Sequence, residues 1–455
     1  MKMNVVYLFF ISNVINAATV LVSPEMLLNK YNLHIMAPYI YAQLLHKSID
    51  ISWGKELYAE TIKALSKYNK QEISPAAIID KEHDFKQIFH LMSESCQQRD
   101  IIKINKDNAI IEGVEQAAIN LLFNQEIECE VIDKEYYSER MDHCLKNGGL
   151  SEAHLDALAF EFCKCNPQCH ISVIWPRGIP YAEVIKVMLE ARGCSIIYEK
   201  NFFLKNNGPT IFFKHVPDKA VNGGNINDYF TIQKNGLWQL SALLLQTSKD
   251  VLELANCKKS IRDTINKGNQ IIHIDDTNEH SIQTASMAYS HNSIYFMNHA
   301  NKQELQKFSI FFKKYSNWLE KHKVDKSKFC IDHGGVLGVY GIRDVGDLDF
   351  IHDGYDFLMK KHPTHKFLIM GEDLNSHNLF YEHGYSRVSK EDVIYNPNYF
   401  FYYKTYKFMN LALLMDIKNN LKRPKDITDL SLISRHLNMF RTGHRQILKS
   451  FYEQF

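Results

Sequence analysis

Two aspartates, Asp347 and Asp349, stand two residues apart in the apolar setting Val345-Gly-Asp-Leu-Asp-Phe-Ile351. On an extended segment, positions i and i+2 project from the same face. Two like charges held that close repel unless something neutralises them, and a hard divalent cation with oxygen ligands does so. Eleven residues separate this pair from Gly334-Gly335, which closes the short apolar run Phe329-Cys-Ile331. Lacking Cβ atoms, such a turn lets backbone N–H groups approach a phosphate. Arg343, four residues before Asp347, has a planar fork suited to phosphate oxygens, with a surface ion pair to Asp344 as its alternative. Together these are the parts of metal-assisted phosphoryl or nucleotidyl transfer. The plain structural alternative is an acidic strand end following a tight turn.

Gly334-Gly335 followed by Asp347-Leu-Asp349 resembles the signature of the DNA polymerase β-type nucleotidyltransferase superfamily, over about residues 328–436. The resemblance implies a C-terminal α+β nucleotidyltransferase-like domain. In it Asp347 and Asp349 would be catalytic and hold Mg²⁺, with two ions possible, against a nucleoside triphosphate substrate. Gly334 and Gly335 would meet the phosphates. The family carries a third carboxylate on a later strand. Here Asp392, opening the apolar stretch Asp392 to Pro397, is the expected counterpart, and Glu372 or Asp373 is the alternative. The tail Arg423-Pro-Lys-Asp426, with a further Asp429, is similar to the tails of several small bacterial nucleotidyltransferases. Lys407 and Lys425, with Arg343, are then candidate nucleotide-binding residues. Ordinary helix-start chemistry also accounts for Pro424, Asp426 and Asp429.

Other clusters have simpler readings. Cys163, Cys165, Cys169 and His170 lack the paired Cys-x-x-Cys spacing of a zinc site and are expected to be inert thiols. His273, Asp275, Asp276, Glu279 and His280 invite a metal, but a capping box with Asp276 as N-cap and Glu279 at N3 explains two of the acids without one.

The elements expected to position these residues alternate. In the first part, Ala77 to Asp80 and Ile127 to Ile132 read as strands, and Leu57 to Lys67 and Val114 to Leu122 as helices. Val5 to Ile11 is apolar on both faces, as in a buried strand, and is expected to be retained rather than cleaved as a leader. The strand His170 to Trp175, the helix Tyr181 to Arg192 and the strand Ser195 to Tyr198 suggest a βαβ-like unit. Further on come a strand Ile271 to Ile274, a strand Ser293 to Met297 and an amphipathic helix Gln303 to His322. A helix over Val336 to Gly341 is expected after the glycine pair. The fold class is therefore α/β and multidomain. We delimit a Rossmann-like domain over 1–165, a second α/β unit over 166–250, a connecting α/β region over 251–327 and the nucleotidyltransferase-like domain over 328–455.

Composition narrows the partners. With 455 residues, 45% of them apolar, and a net charge of +1, the chain has no bulk field to favour a long nucleic acid. A nucleotide with a small-molecule or glycan acceptor, such as a sugar or sugar phosphate, is the expected pair. Nine irregularly spaced cysteines argue for a reducing cytoplasm, and no segment reaches transmembrane length. Two alternatives stay open. One is a glycosyltransferase of bacterial surface-polysaccharide assembly, which the N-terminus faintly resembles. The other is a nucleotide-binding module without catalysis.

Overall fold

The computed structural model describes residues 18–441, except 50, 96–100, 135–138, 218–225, 231–235, 303, 356–357, 359, 362–366 and 369–372. The expected N-terminal strand, Val5 to Ile11, and Glu372 lie outside the described residues. The architecture is α/β, with helices packed around three sheets. No helix among the described residues is long and apolar enough to cross a membrane.

The first sheet holds β1 (Ala18–Val22), β2 (Ile102–Ile104), β3 (Ile110–Glu112) and β4 (Ile127–Val131), in the order β1-β4-β2-β3. Its β2–β4 pair is parallel and the other two pairs are antiparallel. The second holds β5 (Cys169–Ile174), β6 (Ser195–Lys205), β7 (Leu237–Gln246) and β8 (Ile272–Ile274), in the order β6-β7-β5-β8. The helix Ala182–Glu190 follows β5 as expected, but β5 and β6 are not neighbours. β7 inserts between them and pairs antiparallel with both, so the expected βαβ unit is a split one.

The third sheet holds β9 (Phe329–Ile331), β10 (Leu348–His352), β11 (Lys360–Lys361), β12 (Phe367–Leu368), β13 (Leu374–Ser376), β14 (Phe400–Tyr403) and β15 (Tyr406–Met409). Their order is β11-β12-β13-β10-β9-β15-β14. β10 runs antiparallel to β9 and parallel to β13, while β15 is parallel to β9. The amphipathic helix Gln306–Lys321 turns Phe308, Phe312, Tyr315 and Leu319 inward, and Tyr315 meets Phe350 of β10 with ring centroids 5.4 Å apart. The helix His291–His299 stacks Phe296 on Phe401 of β14 at 4.5 Å. One contiguous apolar core runs through all three sheets, from Leu27 and Ile102 through Trp175 and Phe212 to Phe350 and Phe408.

Three expected strands are helices, for one physical reason. Ala77 to Asp80 lies in the helix Pro75–Ser95, whose start is fixed by Ser74 accepting from Ala77 N. Ser293 to Met297 lies in the helix His291–His299, capped by Ser290. Asp392 to Tyr395 lies in the helix Lys390–Tyr395, capped by Ser389. In each case a serine hydroxyl takes up an orphan N–H of the first turn, which a short apolar run alone does not reveal. The box assigned to Asp276 is also displaced: Thr277 is the N-cap of Asn278–Ala288, and Asp276 pairs with Lys258 at 3.3 Å.

Candidate metal and nucleotide site

β9 and β10 are set by alternation. Phe329, Ile331, Leu348 and Phe350 point to the face covered by the helices Gln306–Lys321 and His333–Val339. Cys330, Asp332, Asp347 and Asp349 therefore point to the other face. The antiparallel register that matches Phe350 with Ile331 continues to Asp332, whose N–H donates to the Asp349 carbonyl at 3.0 Å. Three carboxylates thus gather at one end of the β9–β10 pair.

The next strand completes the group. β13 pairs Asn375 with Asp349 and places His377 just past its end. Asn375 Nδ2 donates to Asp347 Oδ2 at 2.8 Å. His377 lies between two carboxylates, with Nε2 3.0 Å from Asp349 Oδ1 and Nδ1 3.4 Å from Asp332 Oδ2. His333 Nδ1 stands 2.9 Å from the same Asp332 oxygen, and Tyr381 Oη donates to it at 3.4 Å. Asp332 is fully buried, and His333 and Asp349 nearly so. Burial opposes charge on His377, but Asp332 and Asp349 outweigh it and raise the imidazole to about 10. Burial likewise opposes ionisation of Asp332, and the two histidines overcome it, holding the carboxyl well below the usual carboxylate range.

The glycine pair is not a free turn. It occupies the first turn of the helix His333–Val339, and the two glycines differ. A Cβ at Gly335 would stand 2.4 Å from Ile331 Cγ2 and 2.9 Å from Leu348 Cδ1. Gly335 is therefore required by the close seating of helix on sheet, and its N–H donates to the Asp332 carbonyl at 3.1 Å, a use other than the expected phosphate contact. At Gly334 a Cβ would meet only the Asp347 carbonyl oxygen, at 3.9 Å, so this backbone lies open beside the aspartate pair.

The remaining expected residues are distributed differently. Asp392 sits in a helical first turn, where its carboxylate accepts from Ser389 Oγ at 2.8 Å and its N–H donates to the same oxygen at 3.0 Å. It is not on a strand, which removes the geometry on which its role as third carboxylate rested. Its alternative Asp373 is ion-paired with Lys314. Lys407 is buried on β15, donating to the carbonyls of Ser327 at 2.7 Å and Ile394 at 2.5 Å. Burial pulls its ammonium down to about 7, so it is a structural lysine rather than an exposed phosphate ligand. Lys425 is exposed on the helix Pro424–Arg441 and takes no part in the contacts just described. Its neighbours do: Asp426 and Asp429 hold buried Lys418 at 3.1 and 2.8 Å. Asp429 also takes both Arg343 Nε, at 2.6 Å, and a terminal guanidinium nitrogen, at 3.0 Å. Arg343 is thus anchored to the tail. Hydrogen bonding to Asp429, with further attraction from Asp347 and Asp349, keeps it charged.

The thiols of Cys163, Cys165 and Cys169 are free and pushed up by burial, in keeping with inert cysteines. His273 and Asp275 form a buried pair at 2.9 Å. Sequence reasoning missed Asp332, His333, Asn375, His377 and Tyr381. One signal was present: Asn375 on β13 and His377 just past its end repeat the i, i+2 spacing of Asp347 and Asp349. In a comparison with known proteins, the chain matches no protein-family model, no curated protein and no solved structure.

Proposed function

We propose that the chain is a Mg²⁺-dependent nucleotidyltransferase that moves a nucleoside monophosphate from a nucleoside triphosphate to a sugar or sugar-phosphate acceptor in the cytoplasm. The observation that carries this reading is the pair Asp347 and Asp349 on one sheet face, beside a helix start where a Cβ at half-buried Gly334 would meet nothing closer than 3.9 Å. The donor set fits the ion: two hard carboxylates from adjacent same-face positions. Magnesium bound there would supply Lewis-acid neutralisation of triphosphate charge. The chain's own residues do the rest. Asn375 holds one Asp347 oxygen and so helps fix the orientation of that carboxylate. His377 fixes Asp349 Oδ1. Asp429 holds Arg343 within electrostatic reach of both aspartates, with its third nitrogen on the Asp344 carbonyl at 2.9 Å, so its fixed positive charge would attract triphosphate oxygens there.

A second reading has its own support. The strand beside β10 brings an amide and an imidazole to the aspartates, not a third carboxylate. That donor set favours a module that binds a nucleotide without turning it over. Incubation with mixed nucleoside triphosphates and candidate sugars, followed by mass spectrometry and a pyrophosphate assay, separates the two. Pyrophosphate release that Asp349→Asn abolishes supports transfer. Tight triphosphate binding without release supports the module, and neither binding nor release refutes both. Release of a nucleoside mono- or diphosphate from a sugar nucleotide would instead mark a glycosyltransferase.

A further inference from the structure

We propose that Asp332, His333 and His377 form a binding site for a divalent first-row transition ion, zinc foremost, distinct from the pair Asp347 and Asp349. The inference does not depend on nucleotidyl transfer. Each of the three residues offers one ligand atom, and these atoms lie within 4.8 Å of one another. Donors about 2.0–2.1 Å from one ion lie roughly 2.9 Å apart at a right angle and roughly 3.4 Å apart at the tetrahedral angle. Asp332 Oδ2 stands 2.9 Å from His333 Nδ1 and 3.4 Å from His377 Nδ1, within that range.

Hydrogen bonding inside the protein leaves this cluster unsatisfied. Asp332 Oδ1, His333 Nε2 and His377 Nδ1 are buried without a hydrogen-bond partner among the described residues. Asp332 is 0% exposed and His333 6%, so water does not serve them from an open surface. An orphaned buried oxygen or ring nitrogen is costly, and of these three His377 Nδ1 is the one that also faces Asp332 Oδ2, at 3.4 Å. An ion among them would take the place of the proton on His377 Nδ1, releasing it to solvent, and so give that nitrogen a bond. His377 Nε2–H already donates towards Asp349 Oδ1 at 3.0 Å, which is the carboxylate–histidine–metal arrangement that fixes a ligand ring and strengthens it as a donor. The charges also suit the site: a dication beside buried Asp332 and the nearby Asp349 approaches neutrality. Two imidazoles and one carboxylate favour zinc, cobalt, iron or manganese over magnesium, which takes oxygen ligands. His377, the most exposed of the three side chains at 18%, marks the side of entry.

The test uses the full chain, stripped of metal with a chelator and titrated with Co²⁺ or Zn²⁺ in excess Mg²⁺. One equivalent is expected to bind, and zinc-edge X-ray absorption of the wild-type protein should report two imidazoles with an oxygen ligand. His377→Ala and His333→Ala should each weaken binding by more than about 100-fold, since loss of a mere supporting partner already costs roughly 10–100-fold. Asp347→Asn should keep the ion while losing pyrophosphate release, so failure of this site and failure of the transferase reading are told apart. If a histidine variant does not fold, the absorption spectrum of the unmutated protein decides alone. An oxygen-only shell, binding unaltered in folded histidine variants, or no binding in excess Mg²⁺ overturns the proposal.

Discussion

Gly334 and Gly335 are neighbours in one helical turn, yet replacing each by alanine should have opposite effects. At Gly335 the new methyl would lie 2.4 Å from Ile331 Cγ2 and 2.9 Å from Leu348 Cδ1. Ile331 and Leu348 are fully buried strand residues, so neither can retreat without disturbing the β9–β10 pair. Overpacking of this kind costs about 1–3 kcal/mol. The helix-propensity gain of Ala over Gly, about 0.8–1.0 kcal/mol, offsets part of it. A net loss of up to about 2 kcal/mol is expected, a fall in melting temperature of up to a few degrees. At Gly334 the nearest atom is 3.9 Å away, so alanine meets no clash and the propensity gain stands alone. Gly334→Ala should leave stability unchanged or raise it by up to about 1 kcal/mol. The functional order reverses. A bulky Gly334→Val would cover the open backbone beside Asp347 and weaken binding of a non-hydrolysable triphosphate with Mg²⁺, whereas Gly335→Ala should bind in proportion to its folded fraction. Thermal melts and calorimetric titration of the three variants report both quantities. Equal destabilisation by the two alanines would refute the packing argument, and unaltered affinity in folded Gly334→Val would remove that backbone from the nucleotide site.

Asp429→Ala leaves Lys418 buried with Asp426 as its remaining partner and releases Arg343, so denaturant unfolding should show a loss of roughly 1.5–3 kcal/mol, the range for hydrogen bonds to charged groups. Burial lowers both His34 and His299 from 6.5 to about 4, so between those values the unfolded chain binds more protons than the folded one. Stability should be fully present above pH 6.5 and fall as pH drops towards 4, each histidine contributing up to about 1.4 kcal/mol per pH unit. Urea midpoints against pH should flatten when both are replaced by glutamine. Thr405, at φ 67° in the turn between β14 and β15, is a β-branched residue in left-handed backbone, and Thr405→Gly should stabilise by about 1 kcal/mol in the same assay.

What the sequence disclosed depended on the kind of signal. Long amphipathic stretches were legible: Leu57 to Lys67 and Val114 to Leu122 fall inside the helices Ser52–Tyr68 and Val114–Phe123, and Gln303 to His322 brackets Gln306–Lys321. Short apolar runs were ambiguous between strand and helix. Ser74, Ser290 and Ser389 decided three of them towards helix, through side-chain hydrogen bonds that a count of apolar residues does not weigh. At the site, Asp347 and Asp349 do share a face, because their spacing is local. Asp332, Asn375 and His377 join them only through strand register between segments well apart in the chain, which no spacing rule supplies. Lys407 was misjudged because a lysine in a tyrosine-rich strand gives no sign that its ammonium is sealed beneath Tyr395 and Phe400.

The insertion of β7 between β5 and β6 bears on how the chain is made. As the polypeptide leaves the ribosome, β5 and the eleven residues of β6 emerge before their shared neighbour exists. Each then presents a ladder of unsatisfied backbone groups, with Ile171, Val173, Ile196, Phe202 and Leu204 uncovered. Only when Leu237–Gln246 has been translated can one strand fill the gap and satisfy both sides at once. A nascent chain paused short of that point is a ready template for pairing with another copy. Synthesis of this region should therefore be the step most dependent on chaperones, and a fragment ending near residue 236 should precipitate where one ending after β8 stays dispersed.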